Sequence, residues 1–185
     1  MDALEALHSR TSSPRLTGDV SSEALENILK AALRAPDHAQ LRPWRFLLIK
    51  GDARKRLGEV FAQADLSENP SQTSQQLEKT RVKPLRAPLI IVGIARVTEH
   101  ASVPEIEQLI SCGAAMQSML LAAYAQGVGA MWRTGGMAYN PIVHQALELQ
   151  QNEKIVGYLY MGRTQGKSRI PSELDLGDFS QEWHG

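Results

Sequence analysis

Three short segments of this chain concentrate side chains able to do chemistry. Residues 9–15 read SRTSSPR, with Arg10 and Arg15 around Thr11, Ser12 and Ser13. Guanidinium beside hydroxyls is the chemistry of phosphate capture, since arginine gives charge-assisted, bidentate bonds. The same residues also suit an ST-turn with exposed arginines. Residues 34–44 read RAPDHAQLRPW, an Asp37-His38 pair framed by two prolines and two arginines. A helix-to-strand connection needs far less. Residues 131–136 read MWRTGG, where Trp132, Arg133 and Thr134 precede a glycine pair. That pattern fits a ligand edge or an ordinary amphipathic strand end.

Other candidates fail on geometry. GRTQGKS, residues 162–168, has three residues between its outer glycines where a P-loop has four, and RIPSELDLGDF follows in place of a helix. GVGAMW, residues 127–132, follows a helix and leads into a strand, the reverse of the dinucleotide-binding order. The five histidines, His8, His38, His100, His144 and His184, show no metal-ligand spacing. No G-x-S-x-G elbow appears. A hydrolytic or metal-dependent mechanism has little support.

The surrounding elements follow from hydrophobic periodicity and caps. Asp2 caps a short helix in which Leu4 and Leu7 share a face, and Ser21 or Ser22 caps a second with Leu25, Ile28, Leu29 and Ala32 inward. Pro36 stops that helix near Arg34. RFLLIK, APLIIVGIARV and KIVGYLYMG read as strands. Asp52 is placed to cap a helix to about Val60. The Ser/Gln-rich stretch 63–79 reads as a loop or an exposed helix. Residues 105–126 form a long helix whose middle, Gly113 to Ala115, is narrow. Asn140 and Pro141 start another helix. Without regular βαβ alternation, one α+β domain over 1–185 is expected.

Composition narrows the function. Lys plus Arg and Asp plus Glu each number 20, so the chain offers no broad electrostatic attraction for nucleic acid or anionic membranes. The single Cys112 excludes an intramolecular disulfide framework. MDALEALHSR is unlike a secretory signal, and the apolar run 88–97 is too short to span a bilayer. A cytoplasmic, soluble protein is expected.

Taken together and in this order, SRTSSPR, RAPDHAQLRPWRFLLI, the long small-residue helix, GVGAMWRTGG and KIVGYLYMG resemble the FMN-dependent nitroreductase family. The compact single-domain NAD(P)H nitroreductase subgroup, with RAPDH, PW and WR, is the nearest match. The resemblance implies a nitroreductase-like mixed sheet flanked by helices, in an intertwined homodimer with FMN at the subunit interface. It implies that Arg10 and Ser12 hold the FMN phosphate and ribityl chain with Thr11 beside them, and that Arg34 lies close by. Asp37, His38 and Gln40 would face the other subunit's flavin. Trp132, Arg133 and Thr134 would line the isoalloxazine, largely through backbone. Ala122, Ala123, Tyr124, Ala125, Gln126 and Gly127 would lie by the nicotinamide cofactor, and Lys167 or Arg169 would complete the phosphate site.

The chain departs from the family pattern in three segments: Pro14 displaces the second basic residue to Arg15, Gln40 and Arg42 stand for Asn and Gln, and Arg163-Thr164 follow Gly162. The implied reaction is ping-pong, with NAD(P)H reducing FMN, which then reduces a nitroaromatic or similar electron-poor acceptor. The flavin carries that chemistry, so no catalytic side chain is assigned. Arg133 is the candidate for stabilising charge and His38 for lining the acceptor. Alternatives are a flavoenzyme acting on quinones, halogenated aromatics or activated alkenes, and a non-catalytic flavin-binding protein.

Overall fold

The computed structural model describes residues 1–166 and 170–185. Its frame is a sheet sandwiched between helices. Strand β2 (Trp44–Lys50) lies at one edge, followed by β3 (Leu89–Arg96) and the long β5 (Glu153–Thr164); β4 (Gly129–Arg133) and the two-residue β1 (Leu16–Thr17) also pair with β5. All four pairings are antiparallel. The mixed sheet expected from the resemblance is therefore antiparallel within one chain. Strands β3 and β4 do point the same way, but β5 lies between them, so they never pair.

Alternation along the buried strands sorts side chains into two cores. Leu89 and Ile91 of β3, with Leu159 and Met161 of β5, face helices α2 (Ser22–Ala32) and α5 (Glu105–Ala125). Ile90, Val92 and Ile94, with Tyr158 and Tyr160, face α3 (Ala53–Glu68) and α6 (Pro141–Ala146). With both faces covered, β3 is apolar almost throughout, as a doubly buried strand must be. Gly93 and Gly157 stand opposite each other across β3 and β5. A Cβ on Gly93 would lie 2.3 Å from Met116 Sδ, and one on Gly157 2.1 Å from Trp132 Nε1. These glycines form the notch that seats α5 and Trp132.

Several expectations meet the structure directly. Asp2 and Ser21 accept the capping bonds of α1 (Ala3–Ser9) and α2, and Leu25, Ile28 and Ala32 are buried. Asn140 caps α6 with Pro141 at its start. Asp52 precedes α3 but makes no cap bond; its carboxylate pairs with Lys55 at 2.9 Å instead. Leu4 and Leu7 are 64% and 52% exposed, and the small Ala6 is the residue α1 buries. Within the polar stretch 63–79, residues 63–68 belong to α3 and 74–79 to α4 (Ser74–Arg81), with residues 69–73 connecting them. Asp65 organises it, accepting from Gln72 Nε2 at 3.0 Å and Thr80 Oγ1 at 2.6 Å, while Thr73 and Gln76 form a capping box. Local polar bonds substitute there for an apolar stripe.

No helix among the described residues is long and apolar enough to cross a membrane.

Candidate functional site

The short strand β4 carries a basic cleft at each end. At its start, α1 ends on Arg10, and the segment beyond it is stitched to β4. Ser13 N–H donates to the Ala130 carbonyl at 2.9 Å, and Ser13 Oγ meets Thr164 Oγ1 at 3.0 Å. From the other side α5 ends, and Gly127 takes φ +72° to turn the chain into β4. Arg10, Thr11, Tyr124, Gly127 and Ala130 consequently line one cleft of about 270 Å³. Arg10 has no ion-pair partner among the described residues. Sites that enclose a small ligand usually measure about 300–1,000 Å³, so one chain supplies a partial enclosure.

Within residues 122–127 only Tyr124 and Gly127 reach this cleft. Ala123 is wholly buried in the core and offers no surface to a ligand. Ala122 packs beside that core, and Ala125 is exposed. Gln126 is turned toward α2, bonded to the Asn27 side chain and to the carbonyls of Ala24 and Ala122. Ser12 is exposed between Thr11 and Ser13 and does not itself line the cleft. Lys167, like Arg169, lies outside the described residues.

At the far end of β4, strand alternation separates Trp132 from Arg133. Trp132 packs on the α5 face, whereas the Arg133 guanidinium lies over the Tyr160 ring on the α3 face, 5.5 Å from its centroid. One planar ligand cannot contact both side chains on a single face of this sheet. Thr134 continues from Arg133 into a cleft of about 410 Å³ that Lys83 and Arg86 also line. None of these three cations has an ion-pair partner among the described residues, and Arg133 Nε is buried without a hydrogen bond. Both Asp65 oxygens are already engaged, and Glu68 Oε1 accepts from Asn140. Burial pushes the Tyr160 hydroxyl above its ordinary range, opposed by Arg133 and Arg86.

The RAPDHAQLRPW segment builds a third cleft, lined by Arg34, Asp37, Gln40, Arg42 and Trp44. Its backbone is strained. Ala39, Gln40 and Arg42 adopt φ of 59°, 52° and 51°, three of the four left-handed non-glycine residues among those described. Such conformations persist where surrounding bonds over-determine them. Here Asp37 Oδ2 accepts from Arg42 N–H at 2.7 Å, and Ser111 Oγ–H of α5 donates to the Pro36 carbonyl at 2.6 Å. His38 Nδ1 meets Glu107 Oε2 at 2.7 Å.

Comparison with known proteins identifies this arrangement. The model of the family described as "Nitroreductase family" matches residues 16–163. The chain belongs to the nitroreductase family. It is 41% identical to the Escherichia coli K12 protein named "Putative NAD(P)H nitroreductase YdjA" over 169 residues, 91% of each chain. A Haemophilus influenzae relative with the same NAD(P)H nitroreductase designation is 31% identical over 97% of this chain and 98% of its own. Among solved structures, a nitroreductase-like protein from Bacillus cereus superposes with TM-score 0.85 at 24% identity, covering 100% of this chain and 97% of that one. A Desulfovibrio desulfuricans nitroreductase solved in complex with FMN gives TM-score 0.74 at 26% identity, covering 97% and 95%.

This nitroreductase contains site candidates that the sequence did not reveal. Lys83 and Arg86 sit in a single turn before β3, almost 50 residues from Arg133, and only the sheet order brings them together. Glu107 was equally hidden, one carboxylate among several near the start of α5. The basic KPLR run is a visible signal for the first pair; nothing in the sequence singles out Glu107.

Proposed function

We propose that this nitroreductase binds FMN along β4 and uses NAD(P)H to reduce it, and that the bound flavin then reduces a nitroaromatic or similar electron-poor acceptor. The carrying observation is the pair of cationic clefts at the two ends of one edge strand. Four residue steps at about 3.3 Å separate them by about 13 Å, a span that suits a phosphate at one end and a flavin ring at the other.

The residues fit the group. Arg10 and the Thr11 hydroxyl suit a phosphate, with Ser12 beside them. Thr134 and the Gly135-Gly136 turn permit close backbone approach to the ring. When bound, FMN would supply the hydride chemistry, and the chain's own residues would bind and orient it. Lys83, Arg86 and Arg133 would hold negative charge that develops at the ring's polar edge; donors aimed at such charge are worth about 3 kcal/mol in other enzymes. Tyr124 and Gly127 would flank the nicotinamide donor.

A homodimer completes the reading. The cleft of a single chain is a partial enclosure, Arg34, His38 and Gln40 lie outside it, and Leu4, Leu7, Ile106 and Ile110 leave large apolar surfaces exposed. The family relatives' names and the FMN complex support the same cofactor pair.

Purified protein incubated with FMN and desalted should be yellow, and its absorbance should bleach when NADPH or NADH is added under argon. Arg10→Ala should lower FMN affinity by on the order of 10²-fold, as loss of a charge-assisted phosphate contact implies. Colourless protein would refute the cofactor assignment, and unchanged affinity in the variant would refute Arg10 as the phosphate contact.

A further inference from the structure

We propose that Glu107 and His38 act as a pair, Glu107 holding the imidazole by Nδ1 so that Nε2 passes a proton to an acceptor bound across the subunit interface. This rests on the flavin-dependent dimer proposed above and adds a proton path to it. The contact itself is 2.7 Å, between side chains that are 55% and 45% exposed. An exposed pair of that kind contributes at most about 1 kcal/mol to stability.

The loop that presents His38 is built at greater cost. Three residues around it occupy left-handed backbone, each disfavoured by about 1–2 kcal/mol, and the Asp37 and Ser111 bonds hold them there. Glu107 and Ser111 are one turn apart on α5, so the same helical face fixes the loop's backbone and its imidazole. A strained, doubly anchored loop that keeps one imidazole fixed and half exposed is organised for placement.

The pairing also sets the ring's chemistry. A carboxylate at Nδ1 selects the Nδ1–H tautomer, leaving Nε2 as the working nitrogen. Among the described residues nothing bonds Nε2. Glu107 from α5 is the charged group bonded to the ring, and the segment around it carries Arg34, Asp37 and Arg42, with Asp37 already committed to the Arg42 amide.

The step balances simply. An acceptor that has taken hydride from the reduced flavin holds a new electron pair on oxygen or nitrogen. The Nε2–H bond of the imidazolium breaks, an O–H or N–H bond forms on the acceptor, and neutral imidazole remains with Nδ1–H on Glu107. Water returns the proton. The imidazole is neither oxidised nor reduced, and Glu107 is a positioning residue.

The test uses the FMN-loaded dimer and two oxidants, a nitroaromatic that needs a proton and ferricyanide that does not. His38→Ala should slow reoxidation by the nitroaromatic on the order of 10²-fold and be partly rescued by added imidazole, while ferricyanide rates change by less than about twofold. Glu107→Ala should slow the nitroaromatic by about tenfold with the same split. Histidine-ring ¹⁵N shifts at alkaline pH, measured on protein without flavin, should show the Nδ1–H tautomer at His38 and its loss in Glu107→Ala. Equal slowing with both oxidants, no imidazole rescue, or an Nε2–H tautomer in the parent would overturn the pair. Protein that takes up no FMN would refute the flavin reading and this step with it. Normal FMN uptake and reduction without the split would refute the proton path alone.

Discussion

Glu153 offers a quantitative check on what anchors the RAPDHAQLRPW loop. This residue is 4% exposed at the start of β5, its carboxylate bound by Arg45 of β2 through two bonds of 2.7 and 2.6 Å. Arg96 of β3 approaches at 3.3 Å and the Gln150 N–H at 3.1 Å. Three neighbouring strands are thereby clamped directly beside Pro43 and Trp44, where the loop enters β2. The Arg45 hydrogen bonds, only partly opposed by burial, hold the Glu153 carboxyl down from 4.5 to about 2. A difference of that size corresponds to about 3 kcal/mol of stability at pH 7. Because the folded-state value is depressed, the contribution is complete above pH 4.5 and disappears as pH falls toward 2. By pH 3 about 2 kcal/mol of it should be gone. Glu153→Gln should therefore be about 3 kcal/mol less stable than the parent at pH 7, with the gap closing to about 1 kcal/mol at pH 3. Urea unfolding of both proteins at matched concentration, followed by circular dichroism, measures this. A gap that stays constant between the two pH values would refute the charge-based account and leave only shape.

Three other outcomes follow from separate parts of the molecule. Gly157→Ala places a methyl 2.1 Å from Trp132 Nε1 and 3.0 Å from the Arg133 carbonyl, so it should cost about 1–3 kcal/mol and shift tryptophan emission; unchanged emission and stability would show that the notch is not needed. Cys112 is wholly buried and its thiol is pushed up to about 12, so Ellman's reagent at pH 8 should label it only after unfolding; prompt labelling of native protein would contradict that placement. Removing one positive charge with Lys83→Gln should make FMN harder to reduce, by about 30 mV if the lost interaction is about 1.4 kcal/mol. A xanthine oxidase and dye titration reads that potential, and an unchanged value would take Lys83 out of the flavin's surroundings.

Capped, periodic segments of this chain were legible because their determinants are local. Asp2, Ser21 and Asn140 each lie within three residues of the amide they cap, and Leu25, Ile28 and Ala32 repeat at the helical period. The 63–79 stretch was not legible, since its order comes from Asp65 reaching Gln72 and Thr80 across a turn. Among the site candidates, SRTSSPR and GVGAMWRTGG were visible as unusual clusters, yet their meeting depends on Ser13 pairing with Ala130. The stretch 122–127 reads uniformly in sequence, while helical rotation sends Ala123 into the core and Tyr124 to the cleft.

What the sequence by itself determined is therefore the inventory: a helix that ends at Arg10, a proline-framed loop bearing His38, and a strand delivering Trp132 and Arg133. The tertiary structure decided their addresses. Strand alternation put Trp132 and Arg133 on opposite faces, sheet order carried Lys83 and Arg86 to Arg133, and α5 brought Glu107 to His38 from 69 residues away. A chain specifies caps and periods through neighbours within a few residues. Contacts between distant residues exist only once the cores on both faces of β3 and β5 have closed.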